Sequence, residues 1–309
     1  MKALRNFRLS HPTKNLTFGL VAVVCFFCNN ARTYADTIYV ADVGPRGIIK
    51  FDSNGNGTLF AGPSSFLDSP VSVALNGGYL YVANFQNSTI ARYDSNGVGS
   101  IWADASSGLS TPEGLAFDRN GNLYVGNTGN NTIEKFDSSG HGSVFVGPSS
   151  GLAGAVALAF DNSGNLYVAE WGANVIERYD SSGNGSLFSS AVARPSGLAF
   201  DGAGNLYATS WNGGTVVKLN SNGQGSIFGS GLEYPDRIAF DSKGNLYVAD
   251  QGYNDVVRFD SSGNRSIFAS GLGEPEGIAI LVPEPSTWAL LAMGIGMVLG
   301  GLRLRRRSS

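Results

Sequence analysis

Six carboxylates at two recurring positions are the residues of this sequence best placed to do chemistry. A repeated unit usually opens on proline. The next residue is Val71, Glu113, Val156, Ser196, Asp236 or Glu276, and later in the unit a second position holds Asn84, Asn127, Glu170, Ser210, Asp250 or Asp42. If both positions emerge on one face, Asp42, Glu113, Glu170, Asp236, Asp250 and Glu276 make an oxygen-rich mouth suited to Ca²⁺ or a similar hard cation. Solvated strand ends are the competing reading, since Asp and Glu are common there. The aromatic residues Phe85, Trp171, Trp211 and Tyr253 follow the second position. They are expected either to stack on sugar rings or to wedge between units.

Other chemistries lack parts. Both cysteines, Cys25 and Cys28, lie in an N-terminal segment expected to be removed, which leaves no thiol nucleophile, disulfide or Cys-ligated metal. His141 is then the only imidazole, which argues against a histidine-ligated zinc site and histidine-based catalysis. Gly147-Pro148-Ser149-Ser150-Gly151 spells a serine-hydrolase elbow, but it falls in a loop between units and has no histidine partner. The Asp-Ser-Ser/Asn-Gly segments starting at Asp52, Asp94, Asp137, Asp180 and Asp260 look faintly like calcium loops. They lack a closing bidentate Glu, so hairpin turns explain them better. Residues 36–282 hold 12 Lys and Arg against 23 Asp and Glu, a net charge of −11. Such a body repels phosphate backbones, which excludes nucleic acid as a partner.

The elements that position these residues repeat. Gly114-Leu115-Ala116-Phe117-Asp118 recurs as Leu158-Ala159-Phe160-Asp161, Gly197-Leu198-Ala199-Phe200-Asp201 and Ile238-Ala239-Phe240-Asp241, at spacings of 40 to 43 residues. Each copy continues into Gly-Asn-Leu-Tyr, a third apolar run, a Gly-rich turn and a fourth short run. Four short strands per period of this length are the mark of a propeller blade. The first repeat begins at its second strand, Ile38-Tyr39-Val40-Ala41-Asp42, and the last supplies only a first strand, Pro275 to Ile280. Joined, they make one mixed blade that would close the ring and bring the count to six. The fold class expected is therefore all-β: a six-bladed β-propeller of four-stranded blades with a mixed N- and C-terminal blade. Lys50, Arg92, Lys135, Arg178, Lys218 and Arg258 put one cation on every third strand and are expected to form a charge ladder between blades.

The pattern Pro-x-Gly-(Leu/Ile)-Ala-Phe-Asp-x-x-Gly-Asn-Leu-Tyr-Val-Ala-(Asp/Glu/Asn) resembles the NHL-repeat family of propellers along the whole body. Departures are Ala155-Val156-Ala157 in the fourth blade and Asn76-Gly77-Gly78 in the second. The resemblance implies a scaffold or binding surface. Its alternative is a metal-dependent lactonase-like hydrolase of the gluconolactonase type, in which Glu113, Glu276, Asn127 and Asp250 would imitate the Glu, Asn and Asp set around an axial metal. A lyase of the virginiamycin type would need a catalytic histidine that is missing. A binding or structural role is thus expected ahead of an enzymatic one.

The two ends carry addresses. Residues 1–35 combine Lys2, Arg5, Arg8 and Lys14, a 13-residue apolar run from Leu16 to Cys28, and the small residues Thr33 and Ala35. This is the form of a signal peptide, with signal peptidase as a partner. At residues 283–309, Pro283-Glu284-Pro285 precedes an uncharged stretch from Ala289 to Leu302, expected to be a transmembrane helix, and then Arg303, Arg305, Arg306 and Arg307. These parts resemble the PEP-CTERM sorting signal of Gram-negative bacteria. That resemblance implies an exosortase-type processing enzyme, an exopolysaccharide setting, and anchoring in the inner membrane before transfer to the cell surface or beyond.

Overall fold

The computed structural model describes residues 35–63 and 66–283. The chain begins with β1 (Thr37–Asp42), β2 (Gly47–Phe51) and β3 (Gly57–Ala61). Five sheets of four consecutive strands follow. They comprise β4 (Pro70–Asn76), β5 (Tyr79–Asn84), β6 (Thr89–Tyr93) and β7 (Gly99–Ala103); β8 (Pro112–Phe117), β9 (Leu123–Asn127), β10 (Thr132–Phe136) and β11 (Gly142–Val146); and β12 (Ala155–Phe160), β13 (Leu166–Glu170), β14 (Val175–Tyr179) and β15 (Gly185–Ser189). The last two comprise β16 (Pro195–Phe200), β17 (Leu206–Ser210), β18 (Thr215–Leu219) and β19 (Gly225–Ser230), then β20 (Pro235–Phe240), β21 (Leu246–Asp250), β22 (Asp255–Phe259) and β23 (Arg265–Ser270). The final strand, β24 (Pro275–Leu281), returns to pair antiparallel with β1, giving a sixth sheet ordered β24-β1-β2-β3. Each first strand lies beside the first strand of the next sheet, and β24 touches both β20 and β4. The architecture is a six-bladed β-propeller.

Local chemistry sets the hairpins. In the turns between first and second strands, the carboxylates of Asp118, Asp161, Asp201 and Asp241 each accept the backbone N–H groups two and four residues on. Asp52, Asp94, Asp137, Asp180 and Asp260 do the same between third and fourth strands. These are Asx turns. The resemblance to calcium loops ends there, because the backbone takes the oxygens. His141 sits in one of these turns with its side chain 84% exposed. The hydrolase-like Gly147-Pro148-Ser149-Ser150-Gly151 is a short exposed 3-10 turn between blades.

The core consists of six hydrophobic clusters, each shared by two neighbouring sheets, the first and last sheets included. A buried tyrosine on the second strand organises each one. Tyr124 lies edge-on to Phe145 of its own blade and Phe160 of the next, both with centroids at 4.9 Å. Tyr81, Tyr167 and Tyr207 repeat the arrangement with Trp102 and Phe117, Phe188 and Phe200, and Phe228 and Phe240. At Tyr39 and Tyr247 the next blade offers Leu75 and Ile280 in place of the second phenylalanine. The cations of the third strands correct the sequence expectation. Lys50, Lys135 and Lys218 lie over Tyr39, Tyr124 and Tyr207 of their own blades at 5.2 to 5.8 Å, Arg92 lies over Tyr79, and Arg178 and Arg258 act on Tyr167 and Tyr247, so each of the six has a tyrosine of the same blade as a partner.

Among the described residues no helix is long and apolar enough to cross a membrane. The expected signal peptide, the apolar stretch at 289–302, and Glu284 and Pro285 lie outside the described residues; Pro283 is the last residue within them.

Truncating the central ring of a complete aromatic trio removes packing on two blades at once. Tyr124→Ala is expected to lower the stability of the purified protein by about 3 to 5 kcal/mol in chemical denaturation, the range for loss of a buried aromatic side chain. Tyr39→Ala, where an aliphatic partner stands in, should cost less.

Candidate binding site at the axial mouth

The first strands run nearest the axis, and their third residues set how much room is left there. Ser72, Gly114, Ala157, Gly197 and Gly277 are small in five blades, and the sixth has Arg237. The small residues are required by crowding. A Cβ on Gly197 would lie 2.4 Å from the Asp236 carbonyl oxygen and 3.0 Å from the Arg237 Cα. Arg237, only 8% exposed, fills the space they leave. Its Nη1 donates to the Ser196 carbonyl at 2.6 Å and to the Asp236 carboxylate, and its Nη2 lies 3.9 Å from Glu113 Oε2. Arg237 stands on β20 and Glu113 on β8, three blades apart in a ring of six, so the guanidinium spans the axis. Its Nε has no partner among the described residues.

Two more side chains orient the acids. Thr128 Oγ1 donates to Glu113 Oε1 at 2.9 Å, and Gln251 Nε2 donates to Glu276 Oε1 at 3.1 Å and Glu274 Oε1 at 3.3 Å. Burial pushes Glu276 up to about 9, the charges of Asp236 and Glu113 add to it, and Arg237 offsets part of the rise. Burial also raises Asp236, to about 6, and Glu113, each held back by Arg237. Desolvation and like charge therefore outweigh the single guanidinium. Glu276 carries its proton at neutral pH.

The second recurring position does other work. Asp42 accepts the N–H groups of Gly273 and Glu274 at 2.8 and 2.6 Å, Glu170 that of Ala153 at 2.8 Å, and Asp250 that of Glu233 at 2.8 Å. Asn84 and Asn127 each accept a loop N–H and donate to a loop carbonyl, and Ser210 donates to the Ala193 carbonyl. In every blade this side chain clasps the loop that enters the blade. The six acids expected to share one mouth are thus divided. Glu113, Asp236 and Glu276 meet at the axis, while Asp42, Glu170 and Asp250 turn to the loops because buried backbone N–H groups there need acceptors. Asn127 and Asp250, needed by the lactonase-like alternative, belong to the clasps. Among the described residues no group of three or more His, Cys, Asp or Glu side chains is placed to hold a metal ion, and a guanidinium lies between the axial carboxylates.

After each clasp the chain forms one further bond on the same face. The N–H groups of Val43, Phe85, Thr128, Trp171, Trp211 and Gln251 donate to the carbonyls of Glu274, Ser69, Thr111, Gly154, Arg194 and Tyr234. These pairs rim the mouth. The Trp171 and Trp211 rings meet edge-on at 5.1 Å, Tyr234 lies 5.3 Å from Trp211 at an interplanar angle of 30°, and the Arg194 guanidinium stands 5.3 Å over Trp171. Phe85 packs against the core between its blade and the next, and Trp171 also rests one side on the core between its own blade and the next. Tyr253 is 55% exposed and lies beyond Gln251, which takes the position Trp211 holds in its blade, so Tyr234 supplies the third ring of the row. Ser69, Thr111, Arg194 and Tyr234 have φ of 55°, 41°, 45° and 54°, each directly before a proline. Left-handed backbone at such residues is strained, and strain of this kind gathers at functional sites.

Arg237 and Tyr234 are absent from the residues picked out by sequence. A signal for Arg237 exists, since Pro235-Asp236-Arg237 breaks a repeat that elsewhere has a small third residue.

Comparison with known proteins agrees with this architecture. The NHL repeat matches residues 109–136, and the PEP-CTERM protein-sorting motif matches residues 281–307, which marks the chain for export and surface sorting with an exosortase-type partner. No curated protein matches the chain in sequence. Among solved structures, a chain from a nidogen/laminin complex superposes with a TM-score of 0.71 at 21% identity, over 79% of this chain and 98% of that one. Catalytically inactive virginiamycin B lyase from Staphylococcus aureus with quinupristin gives 0.60 at 16% identity, over 79% and 84%, and a streptogramin B lyase gives 0.60 at 15%, over 78% and 91%. At these identities the likeness is one of fold.

Stability should carry the mark of the buried acids. Glu276 is raised to about 9, and Glu170 and Asp250 to about 7, all chiefly by burial. Between about pH 4.5 and 9 the folded chain keeps protons that the unfolded chain has lost, so stability falls as pH rises through that window. Asp52, Asp94, Asp137, Asp180 and Asp260 are lowered by their turn hydrogen bonds; their contribution is present above the ordinary carboxylate range and lost below it. Thermal stability is therefore expected to peak near about pH 5 and decline towards pH 9. Glu276→Gln should flatten the decline in a pH series of melting temperatures; an unchanged slope would place the proton elsewhere.

Proposed function

We propose that this exported, NHL-repeat propeller is a surface-sorted binding protein whose axial mouth takes up a saccharide component of the cell envelope or extracellular matrix. The observation that carries the reading is the meeting, on one strained rim, of an acid–guanidinium cluster with the row Trp171, Trp211 and Tyr234. Aromatic rings offer the apolar faces of sugars a flat partner, and carboxylates and guanidinium offer acceptors and donors to their hydroxyls. Of the residues expected from sequence, Trp171 and Trp211 keep the stacking role, and Glu113, Asp236 and Glu276 are assigned polar contacts, with Arg237 in place of a metal. The virginiamycin B lyase structure without activity is a histidine-to-alanine variant. The body here offers one histidine, on an exposed turn between a third and a fourth strand at the opposite end of the blade from the rim, which favours binding over catalysis.

The remaining parts follow the sequence. We assign residues 1–35 to a signal peptide removed by signal peptidase, and the stretch 289–302 to a helix that holds the chain in the inner membrane of a Gram-negative cell until an exosortase acts at Pro283-Glu284-Pro285. To the sheet β24-β1-β2-β3 we assign the task of holding the ring shut.

Two measurements test this. Purified protein on a glycan array should retain saccharides that the Trp171→Ala, Trp211→Ala double variant loses; equal retention by both would remove the aromatic row from the reading. Replacing Pro283, Glu284 and Pro285 with alanine in the producing cell should shift the protein from the surface or medium to the membrane fraction.

A further inference from the structure

The mouth is unbalanced in charge. Glu113 and Asp236 both meet Arg237, Glu276 lies near enough to feel the charges of all three, and Glu274 joins Glu276 on the same Gln251 amide. The guanidinium is committed to Ser196, Asp236 and Glu113, yet its buried Nε–H lacks an acceptor. A ligand that completes this arrangement must bring a cation, which lowers the raised carboxyls and takes the place of the proton on Glu276, and an oxygen for Nε.

A divalent metal meets neither need well. It calls for six to eight oxygens, or a strict octahedron, and would sit against a guanidinium that already occupies the centre. An ammonium asks for about three acceptors and tolerates a neighbouring cation when carboxylates outnumber both. The aromatic row adds a second requirement. Tyr234 is two residues from Asp236, a span of at most about 7 Å of chain, so a ring stacked on Tyr234 or Trp211 would lie one or two sugar units from the acids.

We propose that the mouth selects saccharides bearing a free ammonium group, with Glu113, Asp236 and Glu276 receiving the amine, Arg237 Nε donating to a ring or hydroxyl oxygen, and Trp211 and Tyr234 receiving the adjoining sugar face. This rests on the saccharide reading above and names its chemical class. Thr128 and Gln251 hold the carboxylates in place by donating to one oxygen of Glu113 and of Glu276.

Calorimetric titration of the purified protein at neutral pH and low salt, with a glucosamine hexamer, its fully N-acetylated counterpart and a glucose hexamer, tests the proposal. The amine-bearing hexamer is expected to bind at least about ten-fold more tightly than the other two. The gap should close in the Glu113→Gln, Glu276→Gln double variant, and binding of all three should weaken in the Trp171→Ala, Trp211→Ala variant. Equal affinity for the free and acetylated hexamers would overturn selection for ammonium while leaving the saccharide reading in place. Binding of none would overturn both. An oligolysine that binds as tightly as the amino hexamer, indifferent to the tryptophan variant, would show attraction of charge alone and overturn the proposal.

Discussion

Blades arranged around an axis have no other layer to bury themselves against, so the contact between neighbouring sheets carries this fold. The second-strand tyrosine makes that contact directional. In four blades its ring is gripped edge-on by one aromatic from its own sheet and one from the next, an arrangement favoured by the quadrupoles of the rings. A lysine lies along the blade over three of these tyrosines, where it shields them from water. Because each tyrosine sits at the same height in its strand, the residues a few positions on come to the same end of the ring.

That common end is where uniformity stops. The clasp is chemically tolerant: Asp42, Asn84, Asn127, Glu170, Ser210 and Asp250 all satisfy an entering loop. Variation there changes little outside each blade. Variation at the third residue of the first strand changes the whole ring, because six such positions share one axis. Five small residues admit one large one, and Arg237 reaches across to a carboxylate three blades away.

The blade count and strand boundaries were legible in the sequence because the hydrophobic alternation and turn residues recur with each period. The clasp was not. Asp42, Glu170 and Asp250 read as free acids, since a sequence does not show which backbone N–H groups will be buried beside a strand end. The mouth was half legible: Glu113, Asp236 and Glu276 recur at one position of the repeat, while Arg237 is a single departure whose partner lies three blades away in the ring. Tyr253 stood out by type, but the ring that reaches Trp211 is Tyr234, delivered by a left-handed residue before proline that composition does not disclose.

The pairing of β24 with β1 also sets a clock. Asp42 is bonded to Gly273 and Glu274 across more than 230 residues of chain, while every other sheet is complete within its own four consecutive strands. Contacts so distant in sequence form late and slowly, since the loop they close must first be ordered. Five blades can form from four consecutive strands each, but the first sheet must wait, three strands wide with an open edge, for β24 to arrive. Until β24 docks, the edge of β1 stays unpaired, and no contact local in sequence can cover it.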